Sequence, residues 1–175
     1  KQGAEGALEW LRKEYSGLRT GKAAPTILDG VLVDAYGSKM PINQVANVTL
    51  EGAQSIRIVP WDGAVTKSIE SAIQQSNLGL SVSVDDKGLR VNFPQLTGER
   101  RTELTKVAKQ KLEEARVRVR TEREKVHTDV ESREKASEMG KDDVYRTKQD
   151  LQKLVDDANK SLEEMFDKKE KEITE

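Results

Sequence analysis

The chain has 175 residues, of which 35% are charged and 4% aromatic, and its 30 basic and 31 acidic residues give a net charge of −1. A charge so close to zero excludes attraction to nucleic acid or anionic membrane through the overall charge, so that any basic site must be local. The absence of cysteine excludes disulfides, thiol catalysis and cysteine-ligated zinc. No apolar run reaches the roughly 18–20 residues that span a bilayer, and no signal peptide pattern opens the chain, so we expect a cytoplasmic protein without a membrane segment.

The first part of the chain predicts a helix followed by a small α+β module. Residues 2–20 carry apolar side chains at three- and four-residue spacings, and Gly21 and Pro25 end the pattern. All four prolines lie within residues 25–94, where β-branched residues alternate with polar ones. This texture predicts one helix, capped by Asp62, and short strands at 31–36, 39–42, 47–50, 55–59, 81–84 and 89–93.

A long helix is predicted from about 96 to 139, with Thr97 as its N-cap and Gly140 as the C′ residue after its end. A further helix begins at Asp142 or Asp143 and has an apolar stripe of its own. The apolar seam of the long helix lies within about 90° of its circumference. Its members are Leu104, Ala108, Leu112, Ala115, Val119, Val126 and Val130.

Beside this seam the long helix carries a second stripe, which we call the basic ridge, about 80–90° further round the helix. The basic ridge consists of Lys109, Arg116, Arg120, Arg123 and His127. Its arginines have two interpretations: they pair with Glu113, Glu124 and Glu131 on a solvated face, or they bind phosphate, for which arginine is well suited. The residues alone leave both open.

Three helices, each with a single apolar stripe, predict an antiparallel three-helix bundle with the module inserted after its first helix. The bundle takes residues 1–22 and 97–175, and the inserted α+β domain takes 25–94. The two short connections contain Gly21, Pro25, Pro94 and Thr97, which predicts a hinge. The first helix is shorter than its partners, and the chain opens on Lys1, from which we expect that N-terminal residues are missing.

Nothing in the sequence predicts catalysis. His127 is the only histidine, the adjacent carboxylates diverge, and no glycine-rich phosphate loop is present. We therefore expect no enzyme, no cofactor and no metal site. Arg19, Lys22, Arg100 and Arg101 lie near the predicted joint, and such a local cluster of cations points toward RNA.

Seven stretches of the chain follow the pattern of a known family: Leu18–Pro25, Leu28–Gly30, Asn77–Leu80, Leu89–Val91, Pro94–Arg101, Ala115–Val117 with Arg120 and Arg123, and Asp150–Leu154. In these stretches the chain resembles the ribosome recycling factor family of bacteria and organelles. The resemblance covers essentially the whole chain, in order and with family-like spacing. The chain departs from the family pattern at Gly98, where Glu is usual, and at Glu124, where a second Arg occurs.

This resemblance implies an L-shaped two-domain fold and a monomeric translation factor. It implies binding to the large ribosomal subunit, where with elongation factor G the protein splits the post-termination complex so that ribosomes are reused. By position, Arg101, Arg120 and Arg123 match family arginines that face ribosomal RNA, and Arg19 matches one near the hinge. The ridge position adds Arg116. The alternative is a helical scaffold or adaptor that binds a protein partner.

Overall fold

Four α-helices and six β-strands make up the fold, which the computed structural model describes over residues 1–175. In chain order they are α1 (Gln2–Ser16), β1 (Leu32–Ala35), β2 (Ser38–Pro41), β3 (Ala46–Gly52), β4 (Ser55–Pro60), α2 (Thr66–Gln75), β5 (Ser81–Asp85), β6 (Gly88–Asn92), α3 (Gly98–Lys135) and α4 (Lys141–Thr174). This content confirms the predicted α+β class. None of the four helices has the length and apolar character that crossing a membrane requires.

The chain divides into two units, the first formed by Lys1–Tyr15 with Thr105–Lys171 and the second by Ser16–Leu104 with Glu172–Glu175. The predicted domain boundaries, 1–22 with 97–175 and 25–94, stay a prediction.

The first unit is a bundle of three helices in which α3 runs antiparallel to both others. The Tyr15 hydroxyl donates to the Ala108 carbonyl over 2.7 Å, while Gly3 lies against the side chain of Glu122, so α1 opposes α3. Ion pairs from Arg116 to Glu163 and from Lys148 to Glu131 show that α4 also runs antiparallel to α3. The predicted α3 seam is buried except for Val126, which is 37% exposed.

The ends of helices α1 and α3 differ from the predictions, whereas the start of α3 agrees with them. Helix α1 ends at Ser16 rather than at 20, before the glycine that was expected to end it. Helix α3 begins as predicted, with the Thr97 hydroxyl accepting from the Arg100 amide over 3.1 Å. It ends at Lys135, where Ser137 turns left-handed (φ 59°) and the Glu138 amide donates to the Arg133 carbonyl over 2.9 Å.

Gly140 was predicted as the C′ residue of α3, and this is wrong, because Ser137 has already closed that helix. Gly140 instead lies at the N-cap of α4: its carbonyl accepts from the Val144 amide over 3.0 Å. Glycine is well tolerated at an N-cap, so the same residue type suits either role and the sequence does not separate them.

The second unit contains an antiparallel hairpin, β1–β2, and a four-stranded antiparallel sheet in the order β3-β4-β6-β5. Helix α2 packs against β1, β5 and β6 through Ile69 and Ile73, after Asp62 caps the turn that precedes it. The centre of this core is formed by the fully buried residues Val33, Ile42, Ile56, Ile58, Ile69, Leu89, Val91 and Phe93.

Candidate RNA interface on the helical bundle

The basic ridge lies along α3 on the side that faces α4. Lys109 and Arg120 are exposed, and the other three members are half-buried. The cross-helix ion pairs of the bundle lie on this same side, which makes the ridge one wall of a groove between α3 and α4. The ridge is therefore part of a two-helix surface rather than a stripe on an isolated rod.

Arg116 is already engaged by two carboxylates. Its Nη1 lies 2.7 Å from Glu113 Oε1 on α3, and its Nη2 lies 2.7 Å from Glu163 Oε2 on α4. Such a pair of contacts joins the two helices, although both carboxylates are open to solvent and each contact stabilises the fold by at most about 1 kcal/mol. For Arg116, the ion-pair interpretation describes what the structure shows in the unbound chain.

Arg120 and Arg123 differ from Arg116. Arg120 is exposed and makes no hydrogen bond or ion pair within the 175 residues, so the protein itself occupies none of its donors. Arg123 Nη1 contacts Glu124 Oε1 over 2.9 Å, whereas its Nε is buried without a hydrogen-bond partner. Glu131, the third expected acid, pairs with Lys148 instead, and this contact lowers the pKa of Glu131. The ridge thus keeps free donor capacity at Arg120 and Arg123.

The groove beside these arginines, which we call the α3–α4 groove, has a volume of about 410 Å³. Its lining consists of Arg116, Val119, Arg120, Arg123, Gln152, Val155 and Asn159. The sequence reasoning missed Gln152 and Asn159, because it followed the charges on α3 and considered only the apolar stripe of α4. A helical projection places both amides beside that stripe, on the flank that also holds Glu163.

Arg19 occupies a different environment from the one predicted. It is 5% exposed, and its Nη1 donates to the carbonyls of Leu78 and Gly79 over 3.1 and 2.9 Å. Its Nη2 donates to the Pro94 carbonyl, and the guanidinium lies 5.7 Å from the centre of the Phe93 ring. Burial, followed by the nearby charge of Arg100, lowers its pKa. Because so little of this side chain is accessible to a phosphate, we leave Arg19 out of the interface and assign it a structural role.

Arg101 lies half-buried near the start of α3 and donates from Nη1 to the Thr174 carbonyl over 3.2 Å. It lines a cavity of about 680 Å³ together with Gly21 and Lys22. Arg101 thus lies near the first connection, and its contact with RNA stays a prediction.

The four predicted hinge residues all lie in the second unit. Pro25 begins a 3₁₀ turn, Pro94 accepts the hydrogen bond from Arg19, and Thr97 caps α3. Their role as a hinge stays a prediction.

His127 lies half-buried on the ridge, on the same helix as Glu131. No group of three or more His, Asp or Glu side chains in the chain is arranged to hold a metal ion. The chemistry that this surface offers is recognition by guanidinium and amide groups.

Comparison with known proteins gives a consistent result. The family model described as "Ribosome recycling factor" matches residues 11–174. A ribosome-recycling factor of Alkaliphilus metalliredigens is 44% identical over 165 residues, covering 94% of this chain and 89% of the relative. One from Halothermothrix orenii is 40% identical over 175 residues, covering 100% of this chain and 95% of the relative.

Two solved structures are similar along almost the whole chain. A solution structure of a ribosome recycling factor is 35% identical with a TM-score of 0.75, covering 99% of this chain and 92% of the other. The second is described as models for the T. thermophilus ribosome recycling factor and the E. coli elongation factor G bound to the E. coli post-termination complex. It is 34% identical with a TM-score of 0.67, covering 98% of this chain and 93% of the other.

Proposed function

Because the chain belongs to the ribosome recycling factor family, we propose that it binds the post-termination ribosome and, with elongation factor G, promotes its dissociation into subunits. The observation that carries this proposal is the match over residues 11–174, which spans both units. Hydrolysis of GTP belongs to the elongation factor, so this cytoplasmic, monomeric chain performs no catalytic step itself.

The bundle attaches to ribosomal RNA of the large subunit through the arginines of α3. Arg120 and Arg123 contribute most to this binding, because Arg120 has no partner within the protein and Arg123 contacts only one exposed acid. Arg116 contributes less, because a phosphate must compete there with Glu113 and Glu163. Arg101 adds a contact near the start of the helix. Guanidinium groups bind phosphate oxygens in a bidentate manner, and such contacts weaken as salt rises.

The inserted α+β domain, residues 25–94, receives the elongation factor. Its surface exposes two large aromatic residues, Tyr36 at 71% and Trp61 at 69%. The Tyr36 hydroxyl donates to Asp62 Oδ2 over 3.1 Å, which orients the ring beside the residue that follows Trp61. Exposed aromatic residues held in place are frequent anchors of protein interfaces. The connections that contain Gly21, Pro25, Pro94 and Thr97 act as the hinge about which this domain turns.

Co-sedimentation with purified large ribosomal subunits over a range of salt concentrations tests the interface. We expect Arg120→Ala and Arg123→Ala each to weaken binding and to reduce the slope of log affinity against log salt by about one. Arg146→Ala is the matched control, because Arg146 is exposed on another side of α4. Absence of binding by the folded wild type at low salt would reject the proposal and favour the adaptor. If neither ridge substitution changes the binding, the contact surface must lie on another part of the protein.

A further inference from the structure

We propose that the α3–α4 groove holds a single RNA nucleotide, with its phosphate on Arg120 and Arg123 and a neutral edge of its ribose or base on Asn159 and Gln152. This inference rests on the proposed function and deepens it, because it adds two uncharged residues of α4 to an interface so far described by the arginines of α3. The inference thus gives the groove some contacts with RNA that do not depend on charge.

The register of the two helices brings these side chains together. Arg116 pairs with Glu163 and Lys148 pairs with Glu131, so Asn159 lies about level with Arg120 and within a turn of Arg123. All four proposed contact residues line the same groove. Its floor is formed by Val119, which is buried, and Val155, which is half-buried, and both offer an apolar surface to the face of a sugar or base.

The groove offers donors and acceptors that the protein itself does not satisfy. Asn159 Oδ1 and Arg123 Nε are both buried without a hydrogen-bond partner, one an acceptor and the other a donor. Leaving such an atom unsatisfied is unfavourable, and a ligand that pairs with it removes this cost. Both atoms belong to half-buried residues that line the groove. A hydroxyl group, which both donates and accepts, suits this pair, and ribose carries one at its 2′ position.

The size of the groove and the contacts of the acids around it are compatible with one nucleotide. Its volume of about 410 Å³ lies within the range of roughly 300–1,000 Å³ that is typical of small-ligand sites. The acids around it are engaged: Glu163 holds Arg116, Glu124 holds Arg123, and Asp156 accepts from Gln152 Nε2 over 2.9 Å. The last contact leaves the carbonyl oxygen of the Gln152 amide to accept from the ligand.

The test compares Asn159→Ala, Gln152→Ala and Arg120→Ala in binding to purified large ribosomal subunits over a range of salt concentrations. We expect Asn159→Ala to weaken binding about tenfold without changing the salt slope, because a neutral contact releases no counterion. Arg120→Ala is expected to lower the slope. Gln152→Ala, at an exposed position that tolerates alanine, is expected to behave like Asn159→Ala with a smaller loss. Gln110→Ala, exposed on α3 away from the ridge, is the control.

The outcomes separate this inference from the proposed function. If Arg120→Ala weakens binding while Asn159→Ala and Gln152→Ala stay within twofold of wild type, the nucleotide site is refuted and the arginine interface stands. If the wild type binds and none of the three substitutions matters, both the site and the arginine interface are refuted. If Asn159→Ala changes the salt slope as Arg120→Ala does, the contact is electrostatic and the neutral edge is refuted.

Discussion

Arg19 ties three separate segments of the second unit together, and its replacement by alanine should loosen that unit selectively. The guanidinium donates to the carbonyls of Leu78, Gly79 and Pro94, which belong to the segments after α2 and after β6. A hydrogen bond from a charged donor contributes about 1.5–3 kcal/mol, and two of the donor nitrogens are engaged here. The Nε is buried without a partner, which offsets part of the gain.

The net effect of Arg19→Ala is a loss of about 3 kcal/mol, since the three carbonyls also lose their donor in a buried place. Amide hydrogen exchange of β4 and β6, which lie in the same unit, reports this loss directly. At about 1.4 kcal/mol for each factor of ten, exchange through opening of this unit should accelerate about 100-fold. The exchange rate of Arg19→Lys should lie between those of the wild type and Arg19→Ala, because an ammonium group cannot reach all three carbonyls.

The control is Arg12→Ala, which removes an exposed arginine from α1 in the other unit. We expect exchange of β4 and β6 to stay at the wild-type rate in this variant. If Arg19→Ala exchanges within threefold of wild type, or no faster than Arg12→Ala, the carbonyl contacts contribute little to stability and the structural role given to Arg19 is wrong.

Three further predictions concern other parts of the fold. Gly88→Ala should destabilise the sheet by more than about 3 kcal/mol in urea unfolding, because a Cβ would lie 2.3 Å from the Ile58 carbonyl oxygen at a φ of +136°; Gly6→Ala, with open space around it, should not destabilise. Ser137→Gly should raise the thermal midpoint by relieving about 0.5–1 kcal/mol of strain at φ 59°; an unchanged or lower midpoint would contradict this. Burial raises the pKa of Tyr15 to about 12. The fold therefore favours the neutral phenol, and this stabilisation, complete below pH 10, is lost as the pH rises toward 12. Ultraviolet titration of a variant that keeps only this tyrosine should show ionisation near 12, and ionisation near 10 in the folded state would contradict the burial argument.

The helices and strands could be predicted because their patterns are local. Alternation of β-branched residues, the caps at Asp62 and Thr97, and the α3 seam all express periodicity or chemistry within a few residues. The end of α3 could not be predicted from these rules. Ser137 adopts the left-handed conformation that favours glycine, and nothing in its neighbourhood in sequence indicates this.

The candidate site was predicted in part. The ridge arginines follow from helical spacing, but which of them keep free donors depends on acids that arrive from another helix, as Glu163 does at Arg116. Arg19 has the same residue type as its neighbours on the predicted RNA surface, yet long-range contacts bury it. Asn159 carries no charge and attracts attention only after α4 is placed beside α3. Spacing thus identifies a face, whereas tertiary packing determines which side chains on it are available.

The most direct test of the central claim measures subunit splitting. Post-termination ribosomes, elongation factor G and GTP are mixed with the wild type or with the double variant Arg120→Ala/Arg123→Ala, and light scattering follows dissociation. We expect the wild type to split the ribosomes. The double variant should need a much higher concentration for the same rate, because it stays folded but lacks two contacts to phosphate. A wild type that leaves the ribosomes intact, or a double variant that equals it at every concentration, would contradict the account.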